Sequence, residues 1–259
     1  MNSKGCTEFL DHVNGLFDRI SRDSVGQIEE AAAALVDAIK KDAIIHVAGC
    51  GGHSQIPAME MFYRAGGLAG VSIVFGPGLG LFDGQPCLER VPGMGGATMA
   101  YHDVRPDDVV IVCNYYGMNA ATIDLALAAK KRAGTVIGIT STAFSDSTPD
   151  DFTARHPSRK NLAEVVDIAI DTFTSADEQV VTVPGASQAV GVASTLTSVL
   201  IVQLLVIRVV ELCAESGIDA PVWMCANHAG GDETNDRWLK KYLPRMRHLY
   251  PEGEEYIGD

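Results

Sequence analysis

The sequence predicts an α/β fold built on a parallel sheet of five strands. Short apolar runs of strand length recur at residues 43–48, 71–75, 109–113, 135–140 and 168–172. They are continuous runs, not alternating ones, as in strands covered on both faces. Helical patterns separate them, and strands that alternate with helices pair in parallel through right-handed crossovers. At 259 residues the chain is long enough to bury a sizeable core.

Two amphipathic helices open the chain, at 7–20 and 25–41, with Ser24 as the candidate N-cap of the second. The first strand, 43–48, stops at Gly49-Cys50-Gly51-Gly52, a tight turn into a helix at 55–65. Ser54 is its candidate cap, and Pro57 falls within its first turn, where proline is tolerated. Gly66-Gly67 ends it. After the second strand, the glycine- and proline-rich stretch 76–96 reads as an irregular loop. The third strand leads to a helix at 120–133, with basic residues in its last turn. Beyond the fourth strand a polar connection, 141–160, runs through a short helix to the fifth. A long helix starts near Val190, and residues 227–242 supply a final loop and helix.

The formal net charge of −13 argues against a nucleic-acid binder, which needs a basic surface. It keeps the protein soluble without excluding a small anionic ligand in a locally positive pocket. Six cysteines show no CxxC or CxxH spacing and read as reduced thiols. The opening residues lack the apolar core of a signal peptide, and the expected location is the cytoplasm. The apolar run 190–210 approaches membrane-spanning length. It carries Ser194, Thr195, Thr197, Ser198, Gln203 and Arg208, so a buried central helix is expected.

A strand that stops at glycines before a helix presents backbone N–H groups to an anion. The turn Gly49-Cys50-Gly51-Gly52-His53-Ser54 fails the dinucleotide pattern, because Ser54 stands at the third required glycine. It has no Walker lysine either. An anion-binding turn and a purely structural one remain open on spacing alone.

This turn, followed by Glu60-Met61-Phe62-Tyr63-Arg64-Ala65-Gly66-Gly67, resembles the opening motif of SIS (sugar isomerase) domain proteins. It is similar to a little-characterised group related to the N-acetylmuramic-acid-6-phosphate etherases and, more distantly, the phosphoheptose isomerases. Further matches are His156-Pro157-Ser158, Val190-Gly191 with Ser194-Thr195, and Ala226 through Glu233. The resemblance implies a flavodoxin-like doubly wound parallel five-stranded sheet with an N-terminal helical extension. It is read as one domain over 1–259, with helices at 1–41 and the α/β core and C-terminal helix at 42–259. It also implies a sugar or sugar-phosphate ligand over the strands' C-terminal ends, and homodimers or homotetramers sharing their active sites. Gly51, Gly52, His53 and Ser54 would hold the ligand from the turn, Ser194 and Thr195 from the start of the long helix.

The chain departs from that pattern in two places. Where most SIS proteins carry a Ser-x-Ser-Gly loop that grips a sugar phosphate, it reads Asn114-Tyr115-Tyr116-Gly117, then Met118-Asn119. Asn114, Tyr115, Tyr116 and Asn119 are therefore candidate ligand contacts in a reshaped pocket, and a changed ligand is expected. The etherase relatives use two glutamates, one after the first glycine turn and one before the third strand. Glu60 fits the first position. In the second region only Glu89 remains, with Asp83 upstream, which disfavours a lyase.

Isomerisation through an enediol needs a general base, an acid/base for ring opening, and donors for the developing oxyanion. Glu60, flanked by Met59, Met61, Phe62 and Tyr63, is the candidate base. His228, in a glycine-bounded loop with Asp232 and Glu233, is the candidate for ring opening, and Glu233 its partner or an alternative base. Asp232 is equally a candidate cap for the last helix. His53 and Arg64 are candidate donors to the ligand. No HxH or HExxH spacing calls for a metal, and no cofactor is expected. Cys50 and Cys113 read as buried hydrophobes, and His46 as a core histidine. The leading expectation is an aldose–ketose isomerase, the alternative a non-catalytic sugar-phosphate sensor.

Overall fold

Five short apolar strands form one all-parallel sheet in the computed structural model, which describes residues 3–76, 78–80, 87–177 and 179–248. In chain order the elements are α1 (Lys4–Asp23), α2 (Val25–Lys40), β1 (Ile45–Gly49), α3 (Gln55–Met61), β2 (Val71–Val74) and α4 (Gly95–Tyr101). There follow β3 (Val109–Cys113), α5 (Ala120–Ala129), β4 (Thr135–Thr140), α6 (Thr142–Ser147), α7 (Leu162–Val165) and β5 (Ile168–Asp171). The chain closes with a β6 (Gln179–Val181) and β7 (Val190–Val192) hairpin, then α8 (Ser194–Glu215) and α9 (Gly231–Tyr242).

The strand order is β2-β1-β3-β4-β5. That is the doubly wound, flavodoxin-like order, and its direction reverses between β1 and β3. Successive residues of each strand serve opposite faces. Ile45, Val47, Ile111, Ile137, Ile139 and Ile170 pack with α2, α3 and α8, whereas Ala48, Val110, Val112 and Val136 pack with α4, α5 and α7. Both faces are thus covered, which accounts for the continuous apolar runs. The opening helices belong to this packing: Leu35 and Ile39 of α2 sit in the core beside Leu205 and Val209 of α8.

α8 is the one described helix long and apolar enough to cross a membrane. Within the fold its Ile201, Val202, Leu205, Val206, Val209 and Cys213 are buried against the sheet and α2. Its first residue is Ser194, because 190–192 is spent on the hairpin. α3 stops at Met61, short of the expected 65, where Phe62 turns extended and Tyr63 takes φ 42°. The 76–96 stretch leads into α4, which the glycine-rich sequence conceals. Asp124 of α5 accepts from the amides of Gly93 (2.9 Å) and Gly95 (2.6 Å), supplying from outside the cap that the local sequence lacks.

At the opposite end of the sheet from the strand termini, Trp223, Trp238, Tyr242 and Met246 cover Ile44 and Ala69. Asp108 holds this end together. Its buried carboxylate accepts from the Ile44 amide (2.8 Å), the Arg105 amide (2.8 Å) and Arg245 Nη2 (2.7 Å), and lies 3.2 Å from His46 Nε2. These donors hold the Asp108 carboxyl well below the usual carboxylate range. The core histidine read from the sequence is half satisfied, since its Nδ1 has no partner. Removing one member of a buried charged cluster strands the others. An Asp108→Asn exchange is expected to cost about 3 kcal/mol in denaturant unfolding; a loss below about 1 kcal/mol would deny Asp108 this role.

Candidate functional site

β1 and β3 end side by side, with Gly49 paired to Cys113, and the chain leaves them in opposite senses. A crevice at such a reversal point is where open α/β sheets receive ligands. Here it is a cavity of about 680 Å³, walled by the Gly51–Ser54 turn, Asn114 to Tyr116, the start of α8 and Glu89. Ile56, Pro57, Leu79, Val192 and Leu196 add apolar surface.

The turn after β1 is shaped by Gly51, which takes φ 88°. A Cβ there would run into the Glu89 carboxylate, so the glycine lets that acid close onto the turn. Ser54 does not cap α3 through its side chain. Its Oγ accepts instead from Asn114 Nδ2 at 3.1 Å. The same amide nitrogen donates to Cys50 O (2.8 Å), while Asn114 Oδ1 accepts from the Gly117 amide (2.8 Å). Asn114 thereby bolts the two strand ends together, with its polar atoms occupied inside the protein.

Glu89 is the carboxylate that lines the cavity. Burial pushes its carboxyl above the ordinary value, against the Arg90 charge and a hydrogen bond from Asn119, which pull it down. Asn119 itself is buried and does not line the cavity. It reaches the site only through Glu89, and its Oδ1 has no partner. Among the described residues no lysine or arginine lines the cavity. Positive potential comes from main-chain N–H groups of the turn and of the first turn of α8, at Ser194, Thr195 and Leu196. Ser198 Oγ, also at the wall, donates to Ser194 O (2.9 Å).

Of the residues expected to meet the ligand, Gly51, Gly52, His53, Ser54, Asn114, Tyr115, Tyr116, Ser194 and Thr195 come together here. Glu60, Arg64, His228 and Glu233 do not. The Glu60 carboxylate pairs with Arg64 one helical turn on, and accepts from Gln203 Nε2 of α8 at 2.7 Å. Arg64 is therefore an exposed partner of Glu60. His228 and Glu233 are exposed at the entrance to α9, whose N-cap is Gly230 in the left-handed region, not Asp232. The expectation that Glu60 shares the hollow is not met within this chain, because its helix turns that side chain toward α8. His53, Glu60 and His228 likewise do not converge. Asp83 lies outside the described residues.

All six cysteines are free. Cys113 touches the cavity, but burial pushes its thiol up to about 12, and burial raises Cys50 further. Neither supplies a thiolate near neutral pH.

The family model described as "SIS domain" matches residues 8–141, from α1 through the end of β4. The chain belongs to the SIS domain family. A UPF0309 protein of Geobacillus kaustophilus is 34% identical over 242 residues, covering 92% of this chain and 94% of the relative. One from Listeria monocytogenes serotype 4b is 32% identical over 241 residues, covering 92% and 96%. An Escherichia coli CFT073 protein, solved in complex with a sugar phosphate, superposes with a TM-score of 0.51 at 13% identity, over 81% of this chain and 89% of that one. It shares the fold.

In this SIS protein the Asn114 bolt has a direct consequence. Asn114→Ala leaves the Cys50 carbonyl and Gly117 amide buried without partners, at an expected cost of about 2 kcal/mol. Denaturant unfolding reads the loss, and an unchanged midpoint would show that the two strand ends hold without it.

Proposed function

We propose that the chain binds a small sugar or sugar phosphate in this cavity and isomerises it by proton transfer, with Glu89 as the acid–base group. The carrying observation is that the Glu89 carboxyl faces the same hollow as two N–H-rich chain starts, the Gly51–Ser54 turn and α8. A carboxylate there can take the proton from the carbon beside a carbonyl and return it to the neighbouring carbon. The bond electrons move onto the carbonyl oxygen, giving an enediol, and preorganised amides and hydroxyls at Ser194 and Thr195 would stabilise the developing oxyanion. Family membership and the sugar-phosphate complex of the Escherichia coli protein support the ligand class.

The proposal includes a homo-oligomer. Leu196 and Ile207 of α8, with Met59 and Tyr63 beside them, are large apolar residues left 41–54% exposed. A second copy on this side would bury them and bring Glu60, Arg64, His228 and Glu233 of one chain toward the other. Ile207→Glu is expected to shift the protein to a smaller species in sedimentation; an unchanged sedimentation coefficient would exclude this face.

The occupation of Glu60 by Arg64 and Gln203 favours a second reading, a sugar-binding module without catalysis. Incubation with a sugar-phosphate panel in deuterated water separates the two. The isomerase reading expects deuterium at the carbon beside the carbonyl, and Glu89→Gln lowering the exchange rate about 100-fold or more. A ligand that raises the melting temperature without any exchange would establish the module instead. Because the carboxylate form is the base, activity should fall as pH drops through the Glu89 pKa. The acid limb of kcat/KM is expected above the ordinary glutamate range; a limb at or below it would remove Glu89 from the role.

A further inference from the structure

We infer that the ligand presents the C–H face of a closed sugar ring to Tyr115 and Tyr116, an inference that rests on the sugar-binding reading above. Two sets of contacts carry it: a fixed aromatic wall, and a phosphate-sized corner that the chain has already filled.

Tyr115 and Tyr116 both line the cavity, and Phe144 of α6 backs them. The three rings form a closed triangle, with centroids 5.1 Å (Tyr115–Tyr116), 5.1 Å (Tyr115–Phe144) and 5.0 Å (Tyr116–Phe144) apart. Their tilted and edge-on contacts follow from the ring quadrupole. The Tyr115 hydroxyl donates to Ser175 O at 2.6 Å, so that ring is buried and held. Ser141 caps α6, its Oγ accepting from the Phe144 amide (3.2 Å) and donating to Thr174 O (2.6 Å), which fixes Phe144. Tyr116 is the partly exposed member. A rigid ring costs little ordering on binding, and its negative face attracts the axial C–H groups of a pyranose.

Beside this wall, the amides placed to grip a phosphate are engaged internally. The Gly117 amide goes to Asn114, and the Ala120 amide at the start of α5 donates to Ala154 O (3.0 Å). Asn119 and Arg155 form an isolated antiparallel bridge across the same helix end. Arg155 locks the covering segment, donating to Ser145 O (2.6 Å), Thr148 O (2.7 Å), Pro149 O (2.9 Å) and Asn161 Oδ1 (2.7 Å). Gly117 folds tightly under β4, at φ 63°, where a Cβ would strike Thr140 Oγ1. The β3 side of the cavity therefore offers aromatic surface and little hydrogen-bonding capacity. Any acidic group of the ligand is left to the Gly51–Ser54 turn and the start of α8 on the other walls.

Calorimetric titration tests this with two probes of matched size and charge, methyl α-D-glucopyranoside 6-phosphate, whose ring cannot open, and D-glucitol 6-phosphate, which has none. The locked ring is expected to bind at least tenfold more tightly. Tyr116→Ala should abolish the preference, while Tyr116→Phe keeps it, because the ring and not the hydroxyl makes the contact. Tyr116→Leu, which keeps bulk without a π face, should also lose it and serves if the alanine variant unfolds. Equal or tighter binding of the open chain, a preference that survives in the alanine or leucine variant, or binding of neither probe would overturn the inference. Neither probe can be isomerised, so a ring preference with no deuterium exchange for any sugar would sink the catalytic reading alone.

Discussion

The site depends on one side chain, the Asn114 amide, which ties the end of β3 to the turn after β1. A doubly wound sheet opens a crevice where its strand order reverses, and the two chain segments leaving that point diverge toward opposite faces. Without a cross-link their ends would be independent loops. Asn114 satisfies Cys50 O, Ser54 Oγ and the Gly117 amide together, so the glycine turn and the aromatic segment hold fixed positions on either side of the cavity. Gly51 then admits Glu89 against the turn. The start of α8 completes the enclosure.

The electrostatic character of the cavity follows from the same economy of side chains. With no cationic side chain among its described lining residues, its attraction for anions rests on main-chain dipoles, which cannot be titrated away. Its acid, Glu89, is half-buried and shifted toward the neutral form. A weakly positive, partly aromatic hollow suits a sugar carrying at most one acidic group better than a heavily phosphorylated ligand.

Much of this is readable from the residues. Continuous apolar runs announce buried parallel strands, and the bounds of β3 and β4 agree with the runs at 109–113 and 135–140. The glycine turn, Ser194, Thr195 and the pair of tyrosines are all legible as cavity residues. What escapes a reading of the sequence are features decided by distant partners. α4 starts at glycines because Asp124, on another helix, caps it. Glu60 reads as a desolvated base from its apolar neighbours, yet one helical turn offers Arg64 and the facing helix offers Gln203. Sequence neighbours do not reveal which way a helix turns its side chains. Glu89 stands out only as the leftover acid of an altered loop. Its importance comes from the absent Cβ of Gly51, a long-range fact that adjacency does not show.

A crystal soaked with a mixture of sugar phosphates and sugar acids tests the central claim most directly. Ligand density is expected between the Gly51–Ser54 turn and Tyr116, with a sugar oxygen or carbon in contact with the Glu89 carboxyl. Density bound instead beside Glu60 and His228, with the hollow between β1 and β3 left to solvent, would contradict the account.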